Sequence, residues 1–556
     1  MSRNQKKCQA HGQLEILSEV DFVVVGGGSA GCLLANRLSE DPKNRVALIE
    51  AGSSDLRPSI HIPAGFIHLM TNASVNWMFS TCPQEGLGNR VINMPRGRVL
   101  GGTSAINGML YVRGQAEDFD DWEKAGNTGW SFADVLPYFK RSVQSQLEAY
   151  EPDPAYQGQS GEMHVSPPRT TYNVLDRFIS SAAHLGYERN PDYNGARQNG
   201  FAYFQLNQRQ GLRHSSYRAF IAPVRNRSNL LVFSETAVKN LCFAKDERTV
   251  TGVIVCHNSK RKIVKARREV ILSAGAFGSP QLLELAGIGQ ENRLKSLGIT
   301  PRINLPAVGE NLTDHFLTRL TFELTSADSL NTLLRGFGFV REVAKFLLKR
   351  RGALTMPAGI VGGFVASKLA SDNRPDIQFH VAHASFADPA KRIFDKFPAL
   401  SVGPCQLRPH SRGSSHIVSS NSTIAPEIDP RYLSEEIDRF ILLEGLKIAR
   451  DIMSADPIKP IVKKEARPGK DILEDEELLD FARQTGNTVY HPVSTCRMGP
   501  ADQAGHVVTP DLKVRGINRL RVADASIMPT IVSGNTHACT MMIAEKASHL
   551  ILEKQH

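Results

Sequence analysis

Across 556 positions there is no run of about 18 apolar residues, the length a membrane-crossing helix needs. The eight cysteines form no C-x-x-C pair and no Cys/His cluster at metal-ligand spacing. That argues against a zinc site or a disulfide framework and fits a reducing compartment. The first twenty residues, "MSRNQKKCQAHGQLEILSEV", lack the continuous apolar core of a signal peptide, so a soluble, cytoplasmic protein is expected. Helix-turn-helix, zinc-finger and base-stacking motifs are missing, as are internal repeats. Nucleic acid is therefore not an expected partner, although 66 basic against 56 acidic residues give a formal charge of +10. The densest basic run, "SKRKIVKARR" at 259–268, lies between β-like runs and reads as a solvated hairpin.

What is present is the composition of an ordinary globular protein, 41% hydrophobic and 22% charged, long enough for two or three domains. Near its start "DFVVVGGGSAGCLLANRL" runs from a short β-branched strand through Gly26, Gly28 and Gly31 into a helix. In that G-x-G-x-x-G spacing the first glycine permits a tight turn, the second lets backbone amides approach a pyrophosphate, and the third lets the helix sit close to the sheet. A second apolar run, 46–49, ends in Glu50, an acid placed to accept ribose hydroxyls. The unit reads as a dinucleotide-binding βαβ and does not by itself separate FAD from NAD.

Further along, "LLVFSETAVKNLCF", "VTGVIVCH" and "REVILSAGA" read as a meander returning to a buried strand. The stretch 275–289, "GAFGSPQLLELAGIG", reads as a turn, a proline-started helix and a glycine stop. From 316 to 481 helix and strand patterns mix, with strand-like "PDIQFHVAH" and "SSHIVSS". There "REVAKFLLKRRG" is a basic amphipathic helix, expected to pack on one face and present charge on the other, with membrane-surface contact the alternative. The last fifty residues return to nucleotide-domain style with "RLRVADASIMP" and a final helix. An economical fold puts the first strand and last helix in one layer.

Five blocks together resemble the glucose-methanol-choline (GMC) oxidoreductases, flavoproteins that oxidise alcohols, over nearly the whole chain. They are "GGGSAGCLLANRLSEDPKNRVALIEAG", "PRGRVLGGTSAINGMLYVRG", "GAFGSPQLLELAGIG", "YHPVSTCRMGP" and "VADASIMPTIVSGNTHACTMMIAEKA". The look is nearest to bacterial choline, sorbose and aliphatic-alcohol dehydrogenase-like members. The resemblance, and not the glycines, selects FAD. It implies an α/β fold, with a Rossmann-type FAD-binding domain built from discontiguous segments and an inserted α+β substrate domain. The expected division is 18–315 mainly FAD-binding, 316–481 mainly substrate-binding, and 482–556 returning to the FAD domain with the catalytic histidines.

Cofactor contacts implied in the first block are Gly26, Gly28, Ser29, Ala30, Gly31, Glu50 and Ala51. In the second they are Arg98, Gly101, Gly102, Ser104, Asn107, Gly108 and Met109. Val238 matches a position whose backbone meets adenine, and Asp524, Ala525 and Thr540 match positions near the pyrophosphate and ring. Some relatives attach the flavin through a histidine just before the asparagine. Ile106 stands there, so noncovalent FAD is expected. His491 and His537 fall at the family's paired catalytic positions, with Asn535 the runner-up for the second.

The implied reaction takes a primary alcohol to an aldehyde, with the proton to His491, an orienting hydrogen bond from His537, and hydride to the flavin. The substrate is then a small alcohol, the acceptor oxygen or a quinone, and membrane contact at most peripheral. The same architecture also includes flavin-containing hydroxynitrile lyases and a fatty acid photodecarboxylase, which stand as alternatives, and a flavoprotein without turnover is a third class.

Overall fold

The computed structural model describes residues 14–325, 328–357, 359–370, 372–388 and 393–553. The expectation about a signal peptide rests mainly on 1–13, which lie outside the described residues. Among those described, no helix is long and apolar enough to cross a membrane.

Two sheets organise the chain. In the first, β1 (Glu15–Val25) pairs in parallel with β2 (Val46–Ile49) on one side and with Lys260–Leu272 on the other. Leu230–Phe233 extends the sheet beyond β2, and Leu520–Val522 pairs in parallel with the end of Lys260–Leu272. Residues 22–25 and the whole of β2 are buried, as β-branched runs covered on both faces should be. The start of Lys260–Leu272 also pairs antiparallel with Val250–His257, which pairs with Ala237–Phe243. The basic run is thus a hairpin strand, and its turn residues Asn258 and Ser259 have φ of 50° and 64°.

The final helix, Thr536–Glu553, lies on α1 (Ser29–Leu38). Arg37 Nη2 meets Glu545 Oε1 at 2.6 Å, and Glu545 is wholly buried. A buried carboxylate needs such a partner, so this ion pair fixes how the chain's two ends meet.

The second sheet runs Val462–Arg467, Leu320–Leu324, Ala399–Gln406, Ile377–Ala382, Val361–Val365, Gly200–Tyr203. Its core includes Phe178 and Ile179 from the helix Asn173–His184. The stretch 173–203 therefore serves the second sheet although it precedes residue 316.

Two local expectations change. Pro280 does not start its helix; it lies inside Gly275–Leu285. Proline there cannot donate to the carbonyl of Ala276, and the Thr495 hydroxyl donates to that oxygen instead, at 2.6 Å. The basic helix, observed as Gly336–Lys349, buries only Glu342 and Phe346 and turns large apolar side chains outward.

Candidate active site

At the glycine turn, β1 delivers Gly26, whose N–H donates to the carbonyl of Ile49 at 2.8 Å. A Cβ on Gly31 would lie 1.8 Å from the Gly26 oxygen, so α1 can approach the turn only with glycine there. Ser29 opens α1, and Ala30 is buried within it. Glu50 closes β2: its Oε2 accepts the Gly27 N–H at 2.8 Å and its Oε1 the Gly52 N–H at 2.7 Å, bracketing Ala51. Burial pushes this carboxyl up to about 7, against the pull of the two amides and of Arg98. Arg98 lies over the Trp77 ring at 5.2 Å, its Nε buried without a partner. Val238 sits just past a turn whose Glu235 and Thr236 N–H groups donate to the carbonyls of Gly52 and Glu50.

The second glycine loop docks on the first. Gly101 N–H donates to the Gly27 carbonyl at 2.8 Å, and a Cβ on Gly102 would stand 2.6 Å from Gly28 Cα. Ser104 spends its hydroxyl on the Gly101 carbonyl and on the Ser216 N–H. Beyond it Asn107, Gly108 and Met109 form a tight bend, with Met109 at φ 63° in the left-handed region. Asn107 Oδ1 accepts from the Met109 N–H at 3.0 Å and from Arg213 Nη1 at 2.8 Å, so the amide offers a ligand its Nδ2 donor.

Arg213 also donates to the carbonyls of Ile60 and Ser104, while its Nη2 is buried with no partner. Its hydrogen bonds include no carboxylate, and burial lowers its pKa to about 9. His537 shares a hydrogen bond of 3.0 Å with the Ser29 hydroxyl, and its Nε2 is likewise unpartnered. Burial, then the charge of Arg213, brings this imidazole down to about 4.

Two of the implied residues, Asp524 and Thr540, hydrogen-bond through their side chains to other parts of the protein. Asp524 accepts from Gly275 N–H, Ser279 Oγ, Ser526 N–H and Ser526 Oγ, capping the helix that starts at Gly275 and the turn Ala525–Ile527. Its carboxylate is committed to those caps. Thr540 donates to the Thr536 carbonyl four residues back, and Ala525 lies in the turn that Asp524 caps.

The histidine end is held by Asp314. Its Oδ1 accepts the backbone N–H groups of His491 (2.7 Å) and His315 (3.0 Å), and its Oδ2 accepts the hydroxyls of Tyr432 and Thr488. One buried carboxylate thus locks two imidazoles together. His315 Nε2 lies 2.9 Å from the Leu407 carbonyl, His315 Nδ1 lies 3.0 Å from His491 Nδ1, and His491 Nε2 lies 3.0 Å from Asn535 Nδ2. Asn535 Oδ1 accepts from Gln378 Nε2 at 3.1 Å.

This chain sets the tautomers. A carbonyl only accepts, so the proton of His315, kept neutral by burial to about 4, is on Nε2 and its Nδ1 is bare. His491 must then carry its proton on Nδ1, leaving Nε2 as a lone pair met by the Asn535 amide. Burial, with His315, His380 and Arg96 nearby, holds His491 well below the usual histidine range.

Of the two side chains expected beside His491, Asn535 is the one in hydrogen-bond contact with it, while His537 bonds Ser29 through Nδ1. Sequence reasoning missed His315, Asp314, Arg213 and the sheet residues Gln378 and His380. The last two alternate on the strand Ile377–Ala382 and so share a face. The motif "GENLTDH" that carries Asp314 and His315 has no spacing signal of its own.

The residues fit FAD on two counts of this structure. The Gly28 and Gly102 backbones close on each other as a nucleotide cradle, and buried donors at Arg213 and Arg98 lack protein acceptors. Models of the GMC oxidoreductase family match residues 20–317 and 409–544. The chain belongs to the GMC oxidoreductase family. It is similar to the alcohol dehydrogenase [acceptor] of Pseudomonas putida, 39% identical over 96% of both chains. It is also similar to mouse mitochondrial choline dehydrogenase, 37% identical over 96% of this chain and 89% of that one. Among solved structures, the formate oxidase of Aspergillus oryzae, studied for its FAD modification, superposes with a TM-score of 0.89 at 25% identity, covering 97% and 99% of the two chains. As a GMC oxidoreductase the protein is an FAD-binding oxidoreductase enzyme.

Proposed function

We propose that this GMC oxidoreductase takes a primary alcohol to an aldehyde, with His491 Nε2 removing the hydroxyl proton. The observation that carries the reading is the lone pair left on that nitrogen by the run of hydrogen bonds from Leu407 through His315. An alcohol is a very weak acid, and a neutral, oriented imidazole is suited to accept its proton. Asn535 Nδ2 is the donor that can hold the oxygen as it gains negative charge. When bound, FAD supplies the acceptor for the hydride leaving the alcohol carbon. His537, Ser29, Arg213 and Asn107 are assigned to the cofactor, and Gln378 and His380 to the substrate wall. At the attachment position Ile106 has no nucleophilic atom, so the flavin is held noncovalently. The kinship with alcohol and choline dehydrogenases supports the alcohol as substrate class.

The test is anaerobic mixing with primary alcohols, choline among them, while flavin absorbance is followed. Wild type should bleach, and His491→Ala should keep FAD but bleach about 10² to 10⁴ times more slowly. Because burial holds His491 below its ordinary range, the wild-type rate should fall only well below pH 6.5. Acid precipitation should release the flavin into the supernatant. A His491→Ala protein that bleaches at the wild-type rate sinks the base assignment, and a wild type bleached by none of the alcohols points to a lyase.

A further inference from the structure

The helix Gly336–Lys349 presents an outer face that nothing in the catalytic reading uses. Phe337, Val340, Ala344, Leu347 and Leu348 recur at the three- and four-residue spacing that aligns one side of a helix. Phe337 and Leu348 are 83% and 82% exposed, Leu347 64% and Val340 58%. Isolated exposed leucines need no explanation, but a continuous stripe of this kind marks a contact surface. Beside the stripe run Arg341, Lys345 and Lys349, four residues apart and exposed, followed by exposed Arg351. The segment's sole acid, Glu342, faces inward, where it accepts from Lys345 Nζ at 2.7 Å and from the Ala353 N–H at 2.9 Å.

The helix is firmly mounted. Phe346 is buried beneath it, the Arg350 guanidinium covers that ring at 4.8 Å, and Gly352 N–H donates to the Thr170 hydroxyl. Its trailing turn reaches toward the cofactor loop. The Thr355 carbonyl accepts from Gln208 Nε2 at 2.9 Å, and the neighbouring Asn207 N–H donates to the Met109 carbonyl at 2.8 Å.

We propose that Gly336–Lys349 is a membrane-docking helix that lies in the interface of an anionic phospholipid bilayer. Its apolar stripe enters the acyl boundary, and Lys349 and Arg351 meet the headgroups. An apolar face bordered by cations and free of outward acids matches that surface on both counts. A second copy of this chain is disfavoured as occupant, because a two-fold contact through this face would bring the same cations against each other.

The holoenzyme should co-sediment with vesicles of equal parts phosphatidylcholine and phosphatidylglycerol, less so as salt is raised, and far less with pure phosphatidylcholine. Phe337→Ser with Leu348→Ser should weaken partitioning at least about tenfold. Lys349→Glu with Arg351→Glu should weaken it at least about fivefold. Both variants should keep their FAD spectrum and their turnover with a soluble dye acceptor. Failure of wild type to bind the mixed vesicles, equal binding to pure phosphatidylcholine, or binding unchanged in either double variant overturns the proposal. So does a wild-type dimer in vesicle-free buffer that Phe337→Ser with Leu348→Ser converts to monomer.

Discussion

The two ends of the cofactor groove manage buried polarity in different ways. At the glycine end backbone and carboxylate pair with each other, Glu50 taking two backbone amides and Gly101 N–H closing on the Gly27 carbonyl, while Arg98 Nε is left without a partner. Toward the histidine end Arg213 Nη2, His537 Nε2, Gln378 Oε1 and His380 Nε2 are buried with no protein partner. Burying such groups costs free energy unless something bonds to them, so these atoms are the ones available to bond a ligand. The glycine end is organised by shape, and the histidine end by chemistry kept in reserve.

Breaking the shape end should have the largest effect. Gly31→Ala would force a methyl against the Gly26 oxygen, costing about 3 kcal/mol or more. It should appear as loss of FAD from the purified protein, whereas full occupancy and an unchanged Tm would contradict the close approach.

The next test uses pH to read the two ends apart. The Glu50 carboxyl, raised from 4.5 to about 7 by burial, binds its proton more tightly in the folded protein. Its contribution therefore favours folding below pH 4.5 and is lost as pH rises through 7. His491 is depressed, so its contribution is present above pH 6.5 and is lost as pH falls through its folded value. Glu50→Gln should remove the first dependence, changing the slope of FAD-free stability between pH 4.5 and 7 by about 3 kcal/mol over the range. Denaturation curves whose slope is the same in both proteins would show that Glu50 is not titrating there.

The smallest of the three sharpens the chemical end. His315→Leu leaves the His491 Nδ1–H without its acceptor and frees the tautomer, and should slow flavin reduction about 10- to 100-fold with FAD retained. His315→Gln, whose amide oxygen can accept, should recover part of the rate. Equal rates in both variants would reduce His315 to a packing residue.

Legibility followed the range of the interactions. The βαβ unit, its three glycines and Glu50 were readable because strand, turn and helix are successive and their spacing is the signal. Pro280 misled because its tolerance inside a helix depends on Thr495, more than two hundred positions away. The outward apolar stripe of Gly336–Lys349 was hidden because an amphipathic pattern does not state which face is covered. Asn535 and His537 stand two residues apart, and their sequence contained nothing to say that one would turn to His491 and the other to Ser29.

By itself, then, the sequence determined the nucleotide-binding architecture, the family and the small set of polar residues available for catalysis. Those rest on local backbone conformation and on motifs whose members are close in the chain. Only the tertiary structure decided which nitrogen of His491 holds the lone pair. That outcome depends on a carbonyl from Leu407, a ring from His315 and a carboxylate from Asp314, which meet only because two sheets bring distant segments together, and a proton's position follows from whichever acceptors surround it.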